Sequence, residues 1–77
     1  MYEKLRAGTS FRATNDYGGN CEYRVENING DKNSSVKQLL EEYFEDEIML
    51  YLINVTYCES PVVKPLSWFN KYFTMYC

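Results

Sequence analysis

The stretch TSFRATNDYGGNCEYRVEN, residues 9–27, decides the fold of this 77-residue chain. Apolar and polar side chains alternate in TSFRAT and again in CEYRVEN, which is the period of a strand with one buried face and one solvent-facing face. The residues between them that tolerate the positive φ of a tight reversal are Asn15, Gly18, Gly19 and Asn20. The pattern therefore predicts an antiparallel β-hairpin.

A helix is predicted after the turn NGDKN. Ser35 can cap it, and Gln38, three residues later, completes a Ser-x-x-Gln capping box. Apolar side chains then recur at i, i+3, i+4, i+7 and i+8, the spacing of one continuous helical stripe. These residues are Val36, Leu39, Leu40, Tyr43 and Phe44. We expect one amphipathic helix that packs this stripe across the sheet.

The remaining sequence predicts one further strand and a second, short helix. IMLYLINVTY, residues 48–57, begins apolar on both faces, which favours a central strand; continuation of the helix to about Ile53 is the alternative. CESPVVKP is predicted to be a loop, and LSWFNKYFTMY a short helix. The expected fold is a single α+β domain over residues 1–77. A small antiparallel sheet, the hairpin plus one further strand, packs against one amphipathic helix in the order β-β-α-β-α.

Composition favours a globular protein that stays in the cytoplasm. The chain is 45% hydrophobic and 25% charged, which is ordinary for a folded domain. The N-terminus has no apolar segment of the kind a secretory signal needs, and the run IMLYLI is far shorter than the roughly 20 residues that cross a bilayer. We expect no membrane contact and three reduced thiols, Cys21, Cys58 and Cys77. A Cys21–Cys58 disulfide is the alternative.

Several classes of chemistry lack their usual residues. The chain has no histidine, so the commonest general base and every Ser-His or Cys-His pair are missing. The three cysteines have no chelating spacing. The glycines of DYGGN lie between two predicted strands, with no lysine or helix after them, which favours a turn over a phosphate loop. We expect no enzymatic activity, no cofactor and no metal ion.

The segment NINGDKNSSVKQ deserves comparison with a calcium loop because side chains with oxygen atoms alternate along it. They are Asn27, Asn29, Asp31, Asn33 and Ser35. Its NGD resembles the loops of calcium-binding dockerin modules, which implies a calcium site. The segment departs from the calcium-loop pattern in having a neutral first residue, Lys32 in place of glycine and Gln38 in place of the bidentate glutamate. We interpret it as an Asx-rich turn that leads into the helix cap.

The charge distribution argues against direct nucleic-acid binding. Residues 1–33 carry five basic and five acidic side chains, whereas residues 34–77 carry three lysines and six acids, which accounts for the net charge of −3. An acidic surface is repelled by phosphates. Arg6, Arg12 and Arg24 could share the solvent-facing side of the hairpin, beside Tyr2 or Tyr17, and stack single-stranded bases. Charges that protect an edge strand from aggregation are the favoured interpretation.

Five of seven consecutive residues are acidic where the predicted helix ends: Glu41, Glu42, Glu45, Asp46 and Glu47. The helix dipole is negative at this end, so each exposed acid there costs roughly 0.3–1 kcal/mol at low salt. Places where a sequence breaks a local structural preference, such as the preferred charge at a helix end, tend to mark functional surfaces. Solubility of a chain rich in aromatic residues is the alternative explanation.

These observations predict a non-enzymatic binding or inhibitor protein that docks this acidic face on a basic surface of a host protein. The expected aromatic anchors are Trp68, Tyr72 and Met75. One such target is a nucleic-acid-binding groove, which the protein would occupy as a competitor. Small acidic α+β proteins without catalytic residues recur among phage-encoded inhibitors of host machinery and defence systems. The small size of the chain and its lack of catalytic residues suggest this class; no motif does. The alternatives are a homo-oligomer that sequesters a nucleotide between Arg and Tyr side chains, or a structural subunit of an assembly.

Overall fold

The computed structural model describes residues 2–58 and 60–77, which form an α+β fold with one antiparallel sheet. The strands are β1 (Ser10–Thr14), β2 (Asn20–Ile28), β3 (Met49–Asn54), β4 (Val62–Pro65) and β5 (Phe73–Tyr76). The helices are α1 (Val36–Leu39) and α2 (Leu66–Tyr72), with short 3₁₀ helices at Tyr2–Lys4 and Glu45–Glu47. The α+β prediction is confirmed. The predicted element order is wrong, because the described chain runs β-β-α-β-β-α-β.

The predicted hairpin is present as β1 and β2. Ser10 lies opposite Arg24 and Thr14 lies opposite Asn20, so the two strands pair along the whole of β1. In the turn, Asn15 Oδ1 accepts hydrogen bonds from the backbone N–H groups of residues 17 and 19, at 3.0 and 2.9 Å. Gly18 has a φ of +84°. An Asx turn followed by a glycine in the left-handed region therefore makes the reversal, as the sequence indicates.

The predicted strand after the acidic segment is also present, as β3. It pairs with β2 on one side and β4 on the other, so it lies inside the sheet, and the alternative of a continued helix is wrong. Leu50 and Leu52 are fully buried on one face. The side chains that alternate with them along the strand, including Tyr51 and Ile53, are only half-buried. The strand is therefore buried on one face and not on both.

Helix α2 covers one face of the sheet and supplies much of the core. The Phe69 ring stands edge-on to Phe11, with centroids 4.9 Å apart, and the Trp68 ring stands edge-on to Tyr23 at 5.5 Å. Edge-to-face pairs of this kind add roughly 0.5–1.5 kcal/mol beyond area burial. Because β4 and β5 are the two edge strands, α2 joins opposite edges of the sheet across its face.

Two β-bulges place buried side chains three residues apart within a strand. The pairing of β2 with β3 shifts after Val25, so that Val25 and Ile28 both face the core. The pairing of β1 with β5 shifts in the same way, so that Phe73 and Tyr76 both pack against the core side of the sheet. A bulge inserts one extra residue into one strand and leaves its partner unchanged. The segment from Phe73 onward was predicted to be helical, and this prediction is wrong.

The predicted amphipathic helix is much shorter than its apolar stripe. Ser35 Oγ accepts a hydrogen bond from the Gln38 N–H at 3.3 Å, as the predicted cap requires, but α1 ends at Leu39. Helical hydrogen bonds continue only as far as the Tyr43 N–H, and Phe44 is extended with ψ near 161°. Acidic side chains at a helix C-terminus oppose the helix dipole, which gives a physical reason for the early end.

The remaining structural expectations concern the cysteines and the length of the helices. Cys21 is buried and accepts a hydrogen bond from Asn54 Nδ2 at 3.6 Å, whereas Cys58 and Cys77 are exposed. All three are free thiols, so the alternative of a Cys21–Cys58 disulfide is wrong. Within residues 2–58 and 60–77, neither helix has the length and apolar character that a membrane crossing requires.

The same substitution, phenylalanine to alanine, should have different effects on stability in the core and in the acidic segment. Phe69→Ala removes a fully buried ring and should cost about 3–5 kcal/mol, which lowers Tm by more than about 10 °C in a domain of this size. Phe44→Ala removes a ring that is 82% exposed and should move Tm by no more than a few degrees. Thermal unfolding followed by circular dichroism measures both. Equal losses would mean that Phe44 belongs to the core, as the long-helix prediction required.

Candidate functional site

The acidic residues lie in the segment that connects α1 to β3. Glu41 and Glu42 occupy the turn that follows α1, and their side chains are exposed. Glu45, Asp46 and Glu47 form a 3₁₀ helix of their own, in which Glu45 alone is half-buried. We call residues 41–47 the acidic aromatic loop, since Tyr43 and Phe44 lie between the two groups of acids.

Two of the five acids have structural roles that the sequence did not indicate. The Tyr2 hydroxyl donates a hydrogen bond to Glu45 Oε1 at 2.9 Å, and this bond raises the pKa of Tyr2. The Phe44 N–H donates to Glu47 Oε1, also at 2.9 Å. Moreover, Glu45, Asp46 and Glu47 occupy the first turn of the 3₁₀ helix, where the dipole favours negative charge. The premise that all five acids sit at an unfavourable helix end is therefore wrong.

The most exposed apolar side chain of the acidic aromatic loop is Phe44. Its ring is 82% exposed, and the ring of Tyr43 beside it is 42% exposed. The sequence placed both rings in the buried stripe of a helix, so their exposure was missed. The signal that could have revealed it was the density of acids on both sides, which disfavours a helix through this segment.

The three predicted aromatic anchors differ in exposure and do not all lie on the same face of the sheet. Trp68 is only 8% exposed, because its ring packs on Tyr23 and the Lys64 ammonium lies over it, 5.8 Å from the ring centroid. Its predicted exposure is wrong. Tyr72 lies at the end of α2 and is 36% exposed. Met75 is 58% exposed and lies opposite Arg12, on the sheet face that α2 does not cover. A role of these residues in partner binding stays a prediction.

Side-chain oxygen atoms of Asn27, Asn29 and Asp31, in the segment compared with a calcium loop, accept hydrogen bonds from the chain itself. Asn27 Oδ1 accepts from the Gly30 N–H at 2.9 Å, and Asn29 Oδ1 accepts from the Met49 N–H at 2.7 Å. Asp31 accepts from the Asn33 N–H at 2.8 Å and from the Ser34 hydroxyl at 3.0 Å. Asn29 has a φ of +54°, as in a tight turn. Among the described residues, no group of three or more Cys, Asp or Glu side chains is arranged to hold a metal ion.

The three arginines of the hairpin hypothesis are divided between two surfaces. Arg12 and Arg24 lie on the uncovered sheet face, opposite Glu22 and Ser10 respectively. Arg12 Nε donates to Asn20 Oδ1 at 2.9 Å. Arg6 lies outside the hairpin and forms an isolated β-bridge with Ser35. A single stacking patch that contains all three arginines is therefore wrong.

Comparison of the chain with models of protein families, with curated proteins and with solved structures gave no match.

The loop geometry predicts a pH effect at Asp31. The hydrogen bonds from the Asn33 N–H and then from the Ser34 hydroxyl lower the pKa of Asp31 from its usual 3.8. Since the folded pKa is lowered, this stabilisation is present above pH 3.8 and is lost as the pH falls through the folded pKa. Ser34→Ala should raise the pKa of Asp31 toward 3.8 in a carboxyl-detected NMR titration.

Ser60→Ala is the matched control for this titration, because Ser60 is exposed and lies far from Asp31 in the sequence. It should leave the pKa of Asp31 as in the unsubstituted chain. An Asp31 pKa that Ser34→Ala fails to raise would show that the hydroxyl does not stabilise this carboxylate in solution.

Proposed function

We propose that this protein is a non-enzymatic binding protein whose acidic aromatic loop docks on a basic surface of a protein partner. The observation that carries the proposal is the Phe44 ring, 82% exposed and flanked on both sides by carboxylates. Scattered exposed apolar residues are common on protein surfaces and need no explanation. An exposed aromatic ring inside a rim of charges of one sign, however, matches the usual anatomy of an interface anchor and its rim.

The charges of the loop specify the kind of partner. Residues 41–47 carry five acids and no basic side chain. Glu41, Glu42, Asp46 and Glu47 are all exposed, so their field extends into solvent. A complementary partner has a basic surface with an apolar pocket for the ring, and the charges speed the encounter between the two.

Contacts behind the loop support the proposal because they hold it in one shape. The Tyr2–Glu45 and Phe44–Glu47 hydrogen bonds fix both ends of the short 3₁₀ helix. Ile48, the next residue, is fully buried, and the 3₁₀ helix lies against α2. A loop that is already ordered loses less conformational entropy when it binds, and this preserves affinity.

The proposal extends to the biological setting. Grooves that bind single-stranded nucleic acid combine positive charge with aromatic side chains, so we propose a host protein of this class as the target and inhibition by occupancy as the effect. The protein would then act as an anti-defence or host-directed inhibitor of the kind that phages encode. Three free thiols favour the cytoplasmic location that this role requires.

The test begins with affinity capture from the native host extract, followed by binding measurements with the purified partner. Phe44→Ala should weaken the complex by about 30-fold, the loss expected for an anchor worth about 2 kcal/mol. Tyr17→Ala is the control, because Tyr17 is 93% exposed in the hairpin turn and carries an aromatic ring outside the loop. Its affinity should equal that of the unsubstituted chain.

The charges are tested separately by two matched double variants. Glu41→Gln/Glu42→Gln should slow association and flatten the dependence of affinity on salt, whereas Glu22→Gln/Glu26→Gln removes the same charge from β2 and should do neither. These variants leave the hydrogen bonds of Glu45 and Glu47 intact. An affinity that is insensitive to both salt and Phe44→Ala would exclude the acidic aromatic loop as the contact.

A further inference from the structure

A second charged surface lies where the N-terminal segment meets the start of α1. It is an open depression of about 480 Å³. Its lining residues are Glu3, Lys4, Arg6, Thr9, Ser35 and Lys37. Three of the eight basic residues of this acidic chain therefore face one small space. The acidic aromatic loop contributes nothing to this lining.

The backbone holds these three cations together. Leu5 is fully buried, so its neighbours Lys4 and Arg6 are directed away from the core. The Val36 N–H donates to the Leu5 carbonyl at 3.1 Å, and Arg6 pairs with Ser35 in an antiparallel bridge. Val36 is also fully buried, and its hydrogen bond to Leu5 brings the two segments together. Its neighbour Lys37 therefore branches from the chain next to the segment that carries Lys4 and Arg6.

The hydroxyl groups of Thr9 and Ser35 form hydrogen bonds with the backbone that lines the depression. Thr9 Oγ1 accepts from the Arg6 N–H and donates to the Lys4 carbonyl, both at 3.2 Å. Ser35 Oγ accepts from the Gln38 N–H, which leaves its own proton free to be donated to a ligand. The cationic side chains thus extend from a backbone whose geometry is already fixed.

The charge in the depression is not neutralised by ion pairs. In residues 2–58 and 60–77, none of the three cations forms a salt bridge, although the Lys4 ammonium lies 5.6 Å from the Tyr76 ring centroid. Glu3 is the only acid among these lining residues. Three positive charges and one negative charge leave a formal charge of +2.

We propose that this depression binds a phosphate monoester or inorganic phosphate. A phosphate dianion carries the charge that balances the formal +2 of the lining. The planar fork of the Arg6 guanidinium can donate two parallel hydrogen bonds to phosphate oxygens, and the lysine ammonium groups add point charges. The Ser35 hydroxyl supplies one more donor. A carboxylate offers one negative charge and fewer acceptors, so it should bind more weakly. This site is independent of the protein-binding proposal.

An NMR titration of the full chain tests the proposal. Sodium phosphate is added at constant ionic strength, with sodium chloride and sodium acetate as reference salts. Saturable shifts are expected in the amide signals of residues 4–9 and 35–37, with phosphate and not with chloride. Arg6→Gln and Lys37→Gln should each weaken binding about tenfold. Glu3→Gln should tighten it, since the competing carboxylate is removed.

Lys71→Gln is the matched control, because Lys71 is an exposed lysine on α2, outside the depression. It should leave the phosphate affinity unchanged. A nucleoside monophosphate that binds more tightly than inorganic phosphate identifies the ligand as a nucleotide, whereas equal affinity identifies free phosphate. Shifts that never saturate, that appear equally with chloride, or that Lys71→Gln reduces as much as Lys37→Gln would overturn the proposal.

Discussion

The edge-to-face packing of Phe69 on Phe11 and of Trp68 on Tyr23 is the interaction on which the rest of the structure depends. A chain of this length has room for one core, and one short helix such as α2 can cover only one face of the sheet. The large rings compensate for the small number of residues that the core contains. Since α2 also links the two edge strands, its loss would leave β4 and β5 without the connection that places them.

The elements that the sequence predicts correctly are those whose signal is local. Period-two alternation and an Asx-glycine turn were sufficient for β1 and β2, and a β-rich apolar run was sufficient for β3. The element β5 was missed because its bulge puts Phe73 and Tyr76 on one face, three residues apart, which imitates a helical stripe. The strand β4 was missed because the prolines on either side of VVK indicate a loop, although edge strands tolerate proline at their ends.

The candidate site was predicted in part for the same kind of reason. Composition alone identifies the acidic segment, since five acids in seven residues are evident in any conformation. The exposed ring was misplaced because Phe44 fits the spacing of a stripe that starts at Val36. Spacing shows which residues would share a face if a helix formed, but it does not show whether the helix forms. Here the electrostatic cost of acids near a helix C-terminus favours the shorter helix.

The same electrostatic reasoning connects the two surfaces. Helix α1 is a single turn of four residues that carries Lys37, and Glu41 and Glu42 follow it, where a helix favours positive charge. The C-terminal end of α1 is therefore followed by charges of the less favourable sign. Each charge nevertheless points into a surface of its own sign, Lys37 into the basic depression and the two glutamates into the acidic aromatic loop. A longer helix with favourable charge at its C-terminal end would require basic residues in place of Glu41 and Glu42, and this change would remove two carboxylates from the acidic aromatic loop. The basic depression and the acidic aromatic loop are thus separated by the single turn of α1.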